Sequence, residues 1–182
     1  MYLPTKQEAL KLIEKHIKDK YQTLHSKMVA EVMQEYAVRN KKDINLYYVT
    51  GLLHDLDYYE FPKEHPANEL KWFTDWEYPA ELIQAVKAHA THITGVVPTS
   101  NLDKILFVVD ELSGLLYAYS LMRPEKFKGM NAKGIKKKIK DKRFAPNISR
   151  EDIKQAFELV DHTPEEIIEL MVDVFAKMPE FN

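Results

Sequence analysis

An all-α protein is what this sequence predicts, and three observations carry the expectation. Glycine is scarce, with five in 182 residues. No segment alternates apolar and polar residues for long enough to make a strand. Four pairs, Thr5…Glu8, Ser100…Asp103, Ser149…Asp152 and Thr163…Glu166, have capping-box spacing, in which each side chain can satisfy a free backbone N–H of the other residue. With 45% hydrophobic and 30% charged residues the chain has a globular composition, and its length suits one domain with its own core.

Thr5 opens the first helix, expected over 5–20. The second, over 25–39, carries Met28, Val29, Val32, Met33 and Tyr36 at the i, i+3, i+4 spacing of a core-facing stripe. A third, over 43–58, has Ile44, Tyr47, Tyr48, Gly51, Leu52 and Leu56 as apolar positions enclosing the adjacent pair His54 and Asp55. Breakers over 59–66 and 93–99 mark loops. Between them lie helices over 66–76 and 79–92, the latter with Leu82, Ala85, Val86 and His89 on one stripe. Ser100 caps the longest helix, over 100–122. It contains Asp103, Lys104, Asp110 and Glu111, which marks it as a core helix rather than a membrane span. Helices over 131–141, 149–160 and 164–178 complete the chain, the last with Pro164 at the favoured first position.

Lys133 to Arg143 is the one concentrated run of charge. It follows a composition shift near Arg123 that divides a front portion from a helical tail. No aromatic residue interrupts the run before Phe144, so it reads as a solvated helix face rather than a base-stacking surface. The net charge of −2 gives no bulk attraction to nucleic acid or to a membrane, and neither is expected as a partner. The N-terminal residues lack the basic and apolar segments of a signal peptide, so a cytoplasmic protein is expected. Cysteine is absent, which excludes thiolate nucleophiles and zinc–thiolate sites and leaves imidazole and carboxylate as metal ligands.

The informative residues are polar ones where the helical pattern asks for apolar ones. Extending the second helix's stripe back by three residues reaches His25, which either satisfies a local hydrogen bond or faces an internal site. His54 and Asp55 stand inside Gly51-Leu-Leu-His-Asp-Leu, near a helix end where one side chain can ligate from the side while the other reaches across. Gly51 would let another helix approach closely. Asp110 lies midway along the most apolar helix, with Glu111 expected on the exposed side. A buried carboxylate without a cation costs several kcal/mol, on the order of a broken buried ion pair, and Lys104, the nearest cation in register, lies nearly two turns away. His25, His54, Asp55 and Asp110 make a mixed nitrogen and oxygen set suited to Mn, Fe, Co, Ni or Zn. Such a set leaves positions open for water. Lys104 and Arg123 are candidates for holding substrate phosphate, or else plain surface charges. Tyr58, Tyr59 and Phe61 are candidates for the wall of a pocket, or else ordinary packing.

The spacing His25…His54-Asp55…Asp110 resembles the H…HD…D signature of the HD superfamily of metal-dependent phosphohydrolases. The resemblance covers residues 20–125 and implies a single HD-type domain, a helical bundle with a C-terminal helical extension over about 126–182. It implies attack of metal-bound hydroxide on phosphorus in a nucleotide or other small phosphorylated substrate, with His54 and Asp55 at the catalytic centre. Many members hold a second metal through two more histidines. His65 and His89 occupy the matching positions here, Asp55 would bridge the two ions, and His92 is the alternative second-site ligand. One or two ions are therefore expected. Leu56-Asp57-Tyr58 departs from the usual hydrophobic residue, glycine and lysine after the HD pair, so no phosphate role passes to a lysine there. Asp57 is expected to add negative charge beside the site. The alternative is a regulatory module that binds metal and ligand without turnover.

Overall fold

The computed structural model describes residues 2–182. Among them are ten α-helices and one 3-10 turn, with no strand. Each capping pair singled out in the sequence forms. Thr5 with Glu8 and Thr163 with Glu166 make complete capping boxes. Ser149 Oγ accepts from the Asp152 amide at 3.1 Å. Ser100 Oγ accepts from the Asp103 amide at 3.1 Å, while Asp103 accepts from the Ser100 amide at 3.0 Å.

The chain divides into two compact units, residues 1–107 and 108–182. The first contains α1 (Lys6–His16), α2 (Lys20–Arg39), α3 (Ile44–Leu53), α4 (Ala67–Asp75), α5 (Ala80–His89) and the short α6 (Thr91–Thr94). It also holds the start of α7 (Asn101–Leu121), which runs unbroken through the division. α3 is the hub, packing on α1, α2 and α5. It is buried nearly all round because Tyr47 to Leu53 are all buried. Gly51 permits this: a Cβ there would lie 3.0 Å from the Ala30 Cα and 2.9 Å from the Met33 Cγ on α2. Ile13, Val49, Leu52, Leu56, Phe73, Leu82 and Val86 form the centre of this core.

The second unit contains the rest of α7, then α8 (Ala132–Lys140), α9 (Arg150–Leu159), α10 (Pro164–Phe175) and the 3-10 turn Pro179–Phe181. Phe127 anchors it, with ring centroids 5.1 Å from Phe175 and 4.6 Å from Phe181. The basic run is partly engaged in folding this unit. Lys136 pairs with Glu165, and Lys138 stands over the rings of Tyr119 and Phe144.

Five helix bounds differ by three residues or more from those expected, among them the end of α10, at Phe175 rather than residue 178. α1 stops at His16, with Ile17 extended beyond it. α2 starts at Lys20, because Asp19 accepts from the Gln22 amide at 2.8 Å and caps it. His25 therefore lies in the second turn rather than at the head. α3 stops at Leu53 instead of near residue 58, because the His54 ring occupies the Gly51 carbonyl, 2.8 Å away. α5 stops at His89, whose ring takes the Val86 carbonyl at 2.6 Å, and a separate turn follows.

Candidate metal centre

Five of the candidate side chains come from four segments of the first unit. His25 is half-buried on α2, and His54 is fully buried at the end of α3. Asp55 follows it, with 22% of its side chain exposed. His65 stands in the loop before α4 and His89 ends α5, both buried.

They meet as two pairs of imidazoles. His25 Nε2 lies 3.3 Å from His54 Nε2, and His65 Nε2 lies 3.2 Å from His89 Nε2. Asp55 stands between the pairs. Its Oδ2 is 3.8 Å from His25 Nε2 and 3.5 Å from His54 Nε2. Its Oδ1 is 3.4 Å from His65 Nε2 and 3.5 Å from His89 Nε2.

The other ring nitrogens show why this arrangement could hold a cation. A carbonyl oxygen only accepts, so His54 Nδ1 donates to Gly51 and His89 Nδ1 donates to Val86. His65 Nδ1 lies 2.6 Å from an oxygen of the fully buried Asp57, and an ionised carboxylate likewise only accepts. A neutral ring that donates from Nδ1 presents a bare lone pair at Nε2. His65 and His89 then aim two lone pairs at each other across 3.2 Å, which repels unless a positive charge sits between them. An ion about 2.0–2.1 Å from each of two imidazoles, at angles between octahedral and tetrahedral, holds them about 2.9–3.4 Å apart. Both pairs have that separation, so the residues present fit a divalent ion at each.

Asp110 lies on α7, half-buried, at the start of the second unit. The potential ligand atoms of His25, His54 and Asp55 all lie within 4.8 Å of one another, as do those of Asp55, His65 and His89. Both groups could hold a metal ion. A model of the HD domain family matches residues 24–115, half of the chain, and spans every one of these residues. The chain is a member of the HD superfamily of metal-dependent phosphohydrolases. No curated protein and no solved structure matches it.

The remaining candidates of this HD protein stand elsewhere. His92 is exposed on α6 and belongs to neither group. Arg123 closes its own loop, donating from Nε to the Lys126 carbonyl at 2.9 Å and from Nη2 to the Lys128 carbonyl at 2.8 Å. These bonds use two of the five N–H donors of its guanidinium. Lys104 is half-buried on α7, and six residues put it about 120° around an ideal helix from Asp110. Glu111 is half-buried like Asp110 rather than exposed.

Asp57 stands beside the site, as expected, against His65. It is fully buried and turned away from open solvent, accepting from His65 Nδ1 and from the amides of Asn68 and Glu69 at 3.0 and 3.1 Å. The sequence reading missed Glu69 altogether. It is fully buried, and its Oε2 accepts from the Asp57 amide at 3.1 Å. Burial, followed by the charges of Asp57 and Asp55, pushes its carboxyl well above the usual range. The available signal was a glutamate four residues after His65, in a helix whose Pro66 cap has no capping side chain. On the rim, the exposed ring of Tyr58 stands 5.3 Å from His65 and that of Tyr21 stands 6.2 Å from His25, centroid to centroid.

Proposed function

We propose that this HD protein is a phosphohydrolase acting on a nucleotide or another small phosphorylated molecule, with one or two divalent ions from among Mn, Fe, Co, Ni and Zn. The single observation that carries the reading is Asp55, one carboxylate with an imidazole pair at each oxygen. His25, His54, Asp55 and Asp110 would hold the first ion, and Asp55, His65 and His89 the second. When bound, such ions lower the pKa of a coordinated water and neutralise charge developing on phosphoryl oxygens.

The chain's own contribution is preorganisation. Helix ends fix His54 and His89 through carbonyls that no longer need amide partners, so neither ring must reorient when substrate arrives. His25, Asp55 and Asp110 are the partly exposed members of the set, while His54, His65 and His89 are buried. A phosphoryl group reaching these residues would meet the exposed rings of Tyr58, near His65, and Tyr21, near His25. Bound cations would add positive charge beside Asp55, which ties phosphate binding to metal loading.

The test is hydrolysis of a generic phosphomonoester and a nucleotide panel with each of the five metals. Turnover should appear with at least one metal and fall by at least about 100-fold in His54→Ala and in Asp55→Ala, the scale of removing an electrostatic catalytic group. Metal uptake with no turnover across the panel would favour the binding module instead.

A further inference from the structure

The strongest feature outside the ligands themselves is a closed polar circuit behind His65. Asp57 Oδ2 accepts from the amides of Asn68 and Glu69, the first turn of α4, while Asp57 Oδ1 faces His65 Nδ1 at 2.6 Å. In return the Asp57 amide donates to Glu69 Oε2. This is the reciprocal logic of a capping box, closed across twelve residues rather than three. It replaces the cap that α4 lacks locally, since Pro66 offers no side-chain hydrogen bond. Asp57, His65 and Glu69 are all buried.

We propose that Asp57 is the positioning residue of the second metal site: one carboxylate caps α4 and holds His65 in the tautomer whose Nε2 lone pair faces His89. The inference rests on the reading that Asp55, His65 and His89 hold an ion. Outer carboxylates of this kind fix ring orientation and tautomer for metal ligands. Here the fixing is coupled to folding. His65 stands two residues before α4, so the hydrogen bonds that start the helix also set the ring.

Asp57→Asn separates the two roles. Its amide oxygen can still accept from the α4 amides, but its NH2 group donates towards His65 Nδ1. That favours the opposite tautomer, with the proton on Nε2 where the ion would bind. Manganese titration should give two ions per wild-type chain, with the weaker second ion bound about 10–100-fold less tightly in Asp57→Asn and the first retained. Nitrogen NMR of the metal-free wild type should find His65 as the Nδ1–H tautomer and Asp57→Asn as the Nε2–H tautomer. A residue that only caps α4 would lower the melting temperature and leave tautomer and affinity alone. Unchanged binding of both ions in a folded Asp57→Asn overturns the inference while the metal reading stands. Equal manganese content in wild type and His89→Ala overturns the metal reading itself. Where Asp57→Asn does not fold, the wild-type spectrum decides, and an Nε2–H His65 overturns the inference.

Discussion

Asp55 is the side chain on which the two imidazole pairs converge, and its loss should be felt at both. Asp55→Ala is expected to abolish metal retention, whereas His89→Ala should lower it towards one ion per chain. Elemental analysis after gel filtration checks this, and two ions retained in His89→Ala would mean that His89 is not a ligand. Asp110→Ala should leave the chelated protein as stable as wild type or more so, because a half-buried carboxylate carries a desolvation cost that alanine does not. The same variant should lose part of the stabilisation that metal gives, which melts with and without chelator would record. Glu69 adds a pH dependence whose sign follows from its raised carboxyl. The folded state holds that proton where the unfolded state releases it, so stability is full below the ordinary value near 4.5 and falls as pH rises above it. Glu69→Gln removes this loss, so in chelator its stability relative to wild type should increase from pH 5 to pH 8 in urea melts. A pH-independent difference would contradict it. His25, His54, Asp55 and Asp110 were legible because each interrupts an apolar helical pattern. Asp57 was legible as a charge beside the site, but its bonds to His65 and Glu69 were not, because those partners lie eight and twelve residues away across a loop whose course periodicity does not encode.

Helix starts were easier to read than helix ends. Each of the four capping pairs read from the sequence closes in the structure, since a cap is a local contact between residues three apart. Thr163→Ala should accordingly cost about 1 kcal/mol of stability, measurable by denaturant unfolding. The ends of α3 and α5 were overrun because propensity favours continuing through Leu56 and Ala90. What stops them is a ring nitrogen competing for the carbonyl that the next helical amide would use. That competition is also what sets His54 and His89. Gly51 is the second constraint on α3. Gly51→Ala places a Cβ 3.0 Å from the Ala30 backbone, which should cost about 1–3 kcal/mol by overpacking. Because α2 carries His25 and α3 leads into His54, first-ion affinity should weaken with it. A variant as stable and as metal-avid as wild type would show that α2 and α3 can yield.

At the level of the entire chain, the division into compact units falls inside α7, between residues 107 and 108. A helix crossing that division has no break in its periodicity, so composition could not locate it. No described helix is long and apolar enough to cross a membrane. Five of the six candidate ligands belong to the first unit, and an ion that binds only the folded state should stabilise the protein by mass action. The gain is about 2.7 kcal/mol at free metal 100-fold above Kd. The most direct observation is an anomalous difference map from crystals grown with manganese. It should contain two peaks flanking Asp55, one bonded to His25, His54 and Oδ2, the other to His65, His89 and Oδ1. No peak at Asp55, or peaks only at surface carboxylates, would contradict the metal centre and the phosphohydrolase reading built on it.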